Sequence, residues 1–220
     1  VGQYKHNSME AIQVIVEAER RSYADRSLYL GDPDFVNIPQ DSLLDMDYLN
    51  QRMDSFSFEK ATKSTDISPG TIVWDESEET THYSIVDPMG NAVAVTTTLN
   101  GSYGSKVFVE QGGYFLNNEM DDFSSKPGVP NMFGLIGGKA NAIVPQKRML
   151  SAMTPTIVER DGKLSMVLGT PGGSTIITSV MQTLLNVFEF DMDIQTAVST
   201  PRFHHQWLPD IVVFEPALFS

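Results

Sequence analysis

The 220 residues are 41% hydrophobic, enough for a sizeable core in one domain or a large piece of one. A net charge of −13, from 28 acidic and 15 basic residues, argues against a nucleic-acid partner, because phosphate backbones are bound by clustered Lys and Arg. The chain has no cysteine, which excludes disulfides, thiolate catalysis and Cys-based zinc sites, and it has no apolar run of the roughly 18 residues that a membrane-spanning helix needs. Its opening, Val1-Gly2-Gln3-Tyr4, has neither the basic start of a signal peptide nor an initiator Met.

In chain order, Asn7 or Ser8 is placed to cap a helix, with Glu10 set for a capping box from Asn7. Ile12, Ile15, Val16 and Glu19 follow at helical spacing, and the pattern continues to about Leu30, where Gly31-Asp32-Pro33 stops it. A second helix is predicted around Ser42–Met53, after Pro39. From Ser55 to Glu79 Ser, Thr, Lys, Asp and Glu dominate, with Pro69-Gly70 in the middle, and the stretch reads as a solvated, mobile linker ending in acidic residues.

The period then switches to strands. Thr81–Val86 and Ala92–Leu99 flank the turn Asp87-Pro88-Met89-Gly90-Asn91, and Thr156–Arg160 and Leu164–Leu168 flank Asp161-Gly162-Lys163, which predicts two hairpins. Thr170-Pro171-Gly172-Gly173-Ser174 leads into an apolar helix from Thr175 to about Phe188, and a short helix near Ile194–Ser199 ends at Pro201. Hairpins among helices suggest sheets covered by helical layers.

Few residues offer chemistry. There is no GxSxG and no HExxH, and the only histidines are His6, His82, His204 and His205. His204 and His205 are neighbours and point to opposite faces of a strand, so a structural role suits them better than a shared metal. Thr80 stands where the acidic stretch meets a strand. A threonine at a new N-terminus carries its own base, an α-amine with a reference pKa of about 7.7–8.0, beside its hydroxyl. Residue type alone leaves other readings open. Thr98 is also a strand former in the run Thr96-Thr97-Thr98, and Glu119 and Asp122 also suit a solvated acidic loop. Gly172-Gly173 also suits a tight turn before a helix.

The stretches Thr80-Thr81-His82-Tyr83-Ser84, Gly90-Asn91-Ala92-Val93-Ala94-Val95, Thr98-Leu99-Asn100 and Leu116-Asn117-Asn118-Glu119-Met120-Asp121-Asp122-Phe123-Ser124 resemble the small subunit of gamma-glutamyltranspeptidases. So do Lys126-Pro127-Gly128-Val129-Pro130-Asn131, Gly169-Thr170-Pro171-Gly172-Gly173-Ser174 and Pro201-Arg202-Phe203-His204-His205-Gln206-Trp207-Leu208-Pro209. Ala24-Asp25-Arg26-Ser27 and Leu30-Gly31-Asp32-Pro33-Asp34-Phe35 resemble the end of the large subunit. The resemblance implies an α+β fold, part of the αββα four-layer sandwich of N-terminal-nucleophile hydrolases. It also implies a division into residues 1–54 of a large subunit, a linker over 55–79, and residues 80–220 of a small catalytic subunit.

The same resemblance implies site roles. The bond between Glu79 and Thr80 would be cut autocatalytically and Thr80 would become the nucleophile, with Thr81 the second choice. Thr98 would steady the new amine, and the Gly172 and Gly173 N–H groups would form an oxyanion hole, each donor worth about 3–4 kcal/mol. Asn100, Glu119 and Asp122 would hold the substrate's α-ammonium, Ser151 would donate to its α-carboxylate, and Phe133 would sit in the lid where Tyr is common. Ala152 stands where a second serine is usual. The family's carboxylate-binding arginine would come from an earlier part of the large subunit, and neither Arg148 nor Arg202 has a motif that makes it a substitute.

The implied substrates are gamma-glutamyl compounds such as glutathione, with water or an amino acid as acceptor. Related acylases of the glutaryl-cephalosporin type, poly-gamma-glutamate depolymerases and an inactive unprocessed fragment are the alternatives. The family uses no metal or organic cofactor. Its bacterial members are periplasmic or secreted, and the implied partners are the remaining parts of both subunits.

Overall fold

A computed structural model describes residues 1–67 and 80–219. The first helix, α1 (Met9–Tyr29), is capped by Ser8, whose Oγ accepts from the Ala11 N–H at 3.3 Å. Glu10 in its first turn and Arg26 in its last complement the helix dipole. The chain leaves α1 extended at Leu30. At Gly31 it passes so close to the Ala140 carbonyl that a Cβ would collide with it, so no larger residue fits there.

The helix predicted over Ser42–Met53 is two helices, α2 (Gln40–Leu43) and α3 (Met46–Met53). The break is at Asp45, which takes an extended conformation and accepts from the Tyr48 N–H at 3.0 Å. An aspartate that bonds its own backbone competes with helix continuation and starts a new helix instead.

The Ser55–Glu79 stretch also differs from the solvated linker that its composition predicts. Its residues 68–79 lie outside the described residues, but Ser55–Ile67 is fastened to the body. Ser64 is fully buried, its N–H donates to Asp210 at 2.9 Å and its carbonyl accepts from Trp207 Nε1 at 3.1 Å. Arg20 bonds both the Ser64 hydroxyl and Asp210. Polar residues are buried here because each finds a partner on α1 or near Trp207, which composition alone does not reveal.

Two hairpins follow the predicted positions. In the first, β1 (Thr80–Val86) pairs antiparallel with β2 (Ala92–Thr98), from Thr80 opposite Thr98 to Val86 opposite Ala92. Asp87 Oδ1 accepts from the N–H groups of Met89 and Asn91 at 2.9 and 2.8 Å and closes the turn. Two short strands, β3 (Phe108–Val109) and β4 (Tyr114–Phe115), form a small ladder of their own. The next hairpin joins β5 (Thr156–Arg160) to β6 (Lys163–Leu168) through Asp161 and Gly162. Both turn residues have positive φ, 54° and 72°, which suits the twist of a tight hairpin. The two longer hairpins pack against each other.

The helix α4 (Thr175–Phe188) and the short α5 (Ile194–Ser199), capped by Asp193, lead to β7 (Phe203–His204), which pairs with β8 (Val213–Phe214). The core runs along α1 in two clusters. Ile12, Ile15, Val16 and Phe203 meet Met181 and Leu185 of α4, while Tyr23 and Ala24 meet Ile136, Trp207 and Leu208. Burying each large apolar side chain is worth about 1.5–3 kcal/mol. No described helix is long and apolar enough to cross a membrane.

The buried face of α1 also carries charge. Glu17 is 1% exposed, pairs with Arg21 at 2.5 Å and with Arg20 at 3.6 Å, and accepts from the Thr62 N–H at 3.0 Å. Removing one partner of a buried ion pair costs about 3–5 kcal/mol, because the other charge stays buried without compensation. Glu17→Ala should therefore lower unfolding stability by about 3 kcal/mol or more, read from urea denaturation midpoints. A loss below about 1 kcal/mol would show that water or rearrangement satisfies the two arginines.

Candidate active site

Thr80 is the first residue of β1 and lies opposite Thr98, the last of β2, so both side chains leave the sheet on the same face. Thr98 Oγ1 accepts from the Asn100 N–H at 2.9 Å. Asn100 is 4% exposed with φ of 75°, a left-handed turn that Asn tolerates better than most side chains. Its amide donates to the Asn118 carbonyl at 3.3 Å, and Asn118 Oδ1 accepts from the Gly101 N–H at 2.9 Å. These bonds fix the loop that holds Glu119 and Asp122 against the end of β2.

Glu119 and Asp122 begin and end a single 3-10 turn, Glu119–Asp122. Residues three apart eclipse in such a turn, so the two carboxyls share a side. Burial raises the Glu119 carboxyl above its usual range. Burial also pushes Asp122 up to about 7, helped by the charges of Glu119 and Asp121 and opposed by Arg26. Asn131 Nδ2 donates to Asp122 Oδ1 at 3.4 Å, and Asn141 Nδ2 donates to the Asp122 carbonyl at 2.7 Å.

The glycine loop sits at the start of α4. Gly172 and Gly173 have φ of 134° and 53°, both in the left-handed region that side chains disfavour. A Cβ on Gly172 would also lie 2.6 Å from Thr175 Oγ1. The Thr175 N–H and hydroxyl both donate to the Gly172 carbonyl, at 2.9 and 2.7 Å. Tyr23 of α1 donates its hydroxyl to the Ser174 carbonyl at 2.9 Å, which pins the loop from behind. Ser151 lies on a separate extended segment, where its Oγ accepts from the Met153 N–H at 3.0 Å and its carbonyl accepts from Arg26 Nη2 at 3.4 Å.

One cavity of about 20 Å³ gathers most of these groups. Thr80, Thr98, Asn100, Asp122, Phe133, Ser151 and Gly173 line it, together with Leu135, Ala152, Met153 and Ile176. On its other side, Thr80 and Thr98 border an open groove of about 280 Å³ with Thr81, Thr97, Leu99, Gly101 and Tyr103. Gly172 and Glu119 are not in this lining, and Glu79 lies outside the described residues.

A larger cavity, about 440 Å³, contains none of the predicted residues. It opens beside Asp25, Tyr48, Arg52 and Trp207.

The other candidates are engaged elsewhere. Arg148 is held by Asp32 and Asp34, both at 2.6 Å, and Arg202 pairs with Glu215 at 3.1 Å. His204 bonds Thr178 and Gln206, His205 bonds the Ile211 carbonyl, and both rings are buried, which gives them the structural role the sequence favours. His82 bonds Thr96 and Ser84 along the hairpin. No group of three metal-binding side chains occurs among the described residues.

Sequence reasoning missed Tyr23 and Arg26 as members of this site. Their signal was available: both continue the 3–4 spacing of Ile12, Ile15, Val16 and Glu19, so helical phase assigns polar groups to a buried face.

Comparison with known proteins places the chain in a family. The gamma-glutamyltranspeptidase family model matches residues 1–220. The chain is 52% identical over 207 residues to the glutathione hydrolase proenzyme of Escherichia coli (strain K12), covering 94% of this chain and 36% of that protein. It thus spans about a third of the length of the curated relatives it matches. The Helicobacter pylori gamma-glutamyltranspeptidase T380A mutant superposes with a TM-score of 0.61 and 57% identity, over 62% of this chain and 74% of that one. The cephalosporin acylase from Bacillus halodurans superposes with a TM-score of 0.74 over 92% of this chain and 34% of that one, at 22% identity, a likeness of fold alone. The mixed helices and hairpins are therefore those of an N-terminal-nucleophile hydrolase, and, with its family model matched from end to end, the chain belongs to the gamma-glutamyltranspeptidase family.

Proposed function

We propose that the polypeptide carrying these residues hydrolyses and transfers gamma-glutamyl groups, from glutathione and related compounds, through an ester on Thr80. The observation that carries this reading is the single cavity lined by Thr80, Thr98, Asn100, Asp122, Ser151 and Gly173. It combines a hydroxyl nucleophile, a backbone loop with the character of an oxyanion hole, and an acid placed to meet an ammonium.

Maturation comes first. The Thr80 hydroxyl attacks the Glu79 carbonyl and the acyl group moves from nitrogen to oxygen. Water then hydrolyses the ester, leaving the Glu79 carboxylate and a free Thr80 amine. That amine is the base for catalysis. It takes the hydroxyl proton as Thr80 Oγ attacks the gamma-carbonyl of the substrate, and it returns the proton to the departing amine. The Gly172 and Gly173 N–H groups and the N-terminus of α4 stabilise the oxyanion. Water or an amino acid then takes the acyl group from Thr80.

Thr98 steadies the amine from across the hairpin. Asn100, Glu119 and Asp122 receive the substrate's α-ammonium, Ser151 donates to its α-carboxylate, and Phe133 closes the wall. Ala152 supplies no hydroxyl, so this subsite has one donor fewer than the usual pair. No step needs a metal or organic cofactor. Residues 1–54 act as large-subunit sequence, 55–79 as the connection to the cleavage point, and 80–220 as small-subunit sequence. The remaining parts of both subunits are the natural cover for apolar side chains exposed on the hairpins, among them Tyr83, Ile85, Val93 and Ile157. The similarity to bacterial glutathione hydrolase proenzymes supports a periplasmic or secreted enzyme. A glutaryl acylase would leave Asp122 without a cation to receive, so the gamma-glutamyl reading is preferred.

Intact mass spectrometry after incubation at neutral pH should show two fragments meeting at Glu79–Thr80, and Thr80→Ala should remain uncut and inactive. Cleavage at that bond in Thr80→Ala would rule out the Thr80 hydroxyl as the agent, and an uncut wild type would mark an unprocessed, inactive form. A second expectation concerns pH. Asp122 must be charged to hold an ammonium, and its carboxyl is raised to about 7, so binding strengthens as pH rises through that value. The kcat/KM for a gamma-glutamyl anilide should climb through about pH 7, while a glutaryl anilide, with no ammonium, should follow only the Thr80 amine near 8. Identical profiles for the two substrates would remove Asp122 from the subsite.

A further inference from the structure

The last turns of α1 support the candidate site from behind. Tyr23 and Arg26, three residues apart on one face of the helix, reach two different parts of it. Tyr23 pins the loop after Gly173 through the Ser174 carbonyl, and Arg26 donates to the Ser151 carbonyl. Arg26 and Asp122 also line a common cavity of about 20 Å³, separate from the one that holds Thr80. Among the described residues they are the only charged ones in its lining, which otherwise includes Ser124, Asn131, Asn141 and apolar side chains.

From this arrangement we propose that Arg26 is a positioning residue for the α-amino-acid end of the substrate, favouring the charged form of the Asp122 carboxylate across their common cavity while it anchors the backbone of Ser151. The inference rests on the reading of Asp122 and Ser151 given above. It adds a large-subunit residue that does not touch the substrate.

The charges around Asp122 make the case. Glu119 and Asp121 from its own turn oppose its ionisation, and from α1 only Arg26 favours it. Asp25, next to Arg26 in α1, is occupied with Arg52 and Tyr48 at 3.0 Å each. Arginine keeps its proton even when buried, so the support persists at every working pH. The Arg26 charge lowers the Asp122 carboxyl from where burial alone would put it. Without Arg26, burial and two like charges would leave Asp122 neutral at pH 7 and unable to pair with an ammonium. A lysine would keep the charge but lose the fork that reaches Ser151.

The test uses the complete polypeptide carrying these residues, with Arg26→Met to remove the charge and Arg26→Lys to keep it. Maturation is checked by intact mass, and kcat and KM for a gamma-glutamyl anilide are measured from pH 6 to pH 9.5 or so. Arg26→Met should raise KM at pH 7 by about tenfold or more, change kcat by less than about threefold, and recover at alkaline pH. Arg26→Lys should restore the wild-type midpoint. Its KM should stay within about threefold.

The proposal is overturned if Arg26→Met leaves KM and the midpoint unchanged, or if both variants lose kcat equally at every pH, as a merely structural role would predict. Should Arg26→Met fail to mature, Arg26→Gln is held to the same two criteria. A wild-type enzyme that treats gamma-glutamyl and glutaryl anilides alike would instead overturn the functional reading, and that result is visible before any Arg26 variant is made.

Discussion

A slip of one residue in the β1–β2 ladder would put Thr80 and Thr98 on opposite faces of the sheet and part the proposed nucleophile from the rest of the candidate site. Everything described around Thr80 depends on that register. The ladder is set at its far end by Asp87, which closes the turn with two backbone bonds, and along its length by the pairing from Val86–Ala92 to Thr80–Thr98. His82 strengthens it from the side. It bonds Thr96 across the ladder and sits where a Cβ on Gly169 would be, so the end of β6 approaches β1 closely only because residue 169 is glycine. The same contact delivers Gly172 and Gly173, a few residues later, to the Thr80 end of the hairpin.

The site therefore needs two kinds of support. Sheet register places the hydroxyl, and helix α1 places what surrounds it. Tyr23 and Arg26 reach the glycine loop and the Ser151–Asp122 pair from one helical face, while Glu17 lets α1 bury its arginines and stay in the core. The cost of taking these charges out of water is offset by a dense set of bonds rather than by one strong pair. A carboxylate that titrates near neutrality, such as Asp122, follows from the same economy of space: partial burial favours its proton, while Arg26, lining the same cavity, favours its charge.

Much of this was legible in the sequence. Both hairpins, α4 and α5 lie close to where hydrophobic period and turn residues put them, because Asp87–Asn91 and Asp161-Gly162 are strong local signals. The grouping of Thr80, Thr98, Asn100, Asp122, Ser151, Phe133 and Gly173 was legible only through the family resemblance, since these residues are spread over some ninety positions that local pattern cannot fold together. The split of the second helix at Asp45 was missed because a lone Asp reads equally well as a surface helix residue. The packing of Ser55–Ile67 was missed because burial of Ser64 depends on Arg20, Trp207 and Asp210, partners far away in sequence. Tyr23 and Arg26 were missed for the opposite reason: their helical phase was right, but polar residues on a buried phase look like exceptions until the groups they serve are in view.

The anchoring of Ser64 has a consequence for what a cut before Thr80 would do. Residues 1–67 are joined to the rest not only through the chain but through Ser64 with Asp210 and Trp207, Asp32 with Arg148, and the packing of α1 on Ile136, Phe203, Trp207 and Leu208. All of these contacts join residues on either side of the Glu79–Thr80 bond, and none is made by the bond itself. Severing that bond would release a terminus without releasing a fragment: the upstream piece would remain seated as a bound ligand of the downstream one, and Tyr23 and Arg26 would keep serving a site that belongs, covalently, to another chain.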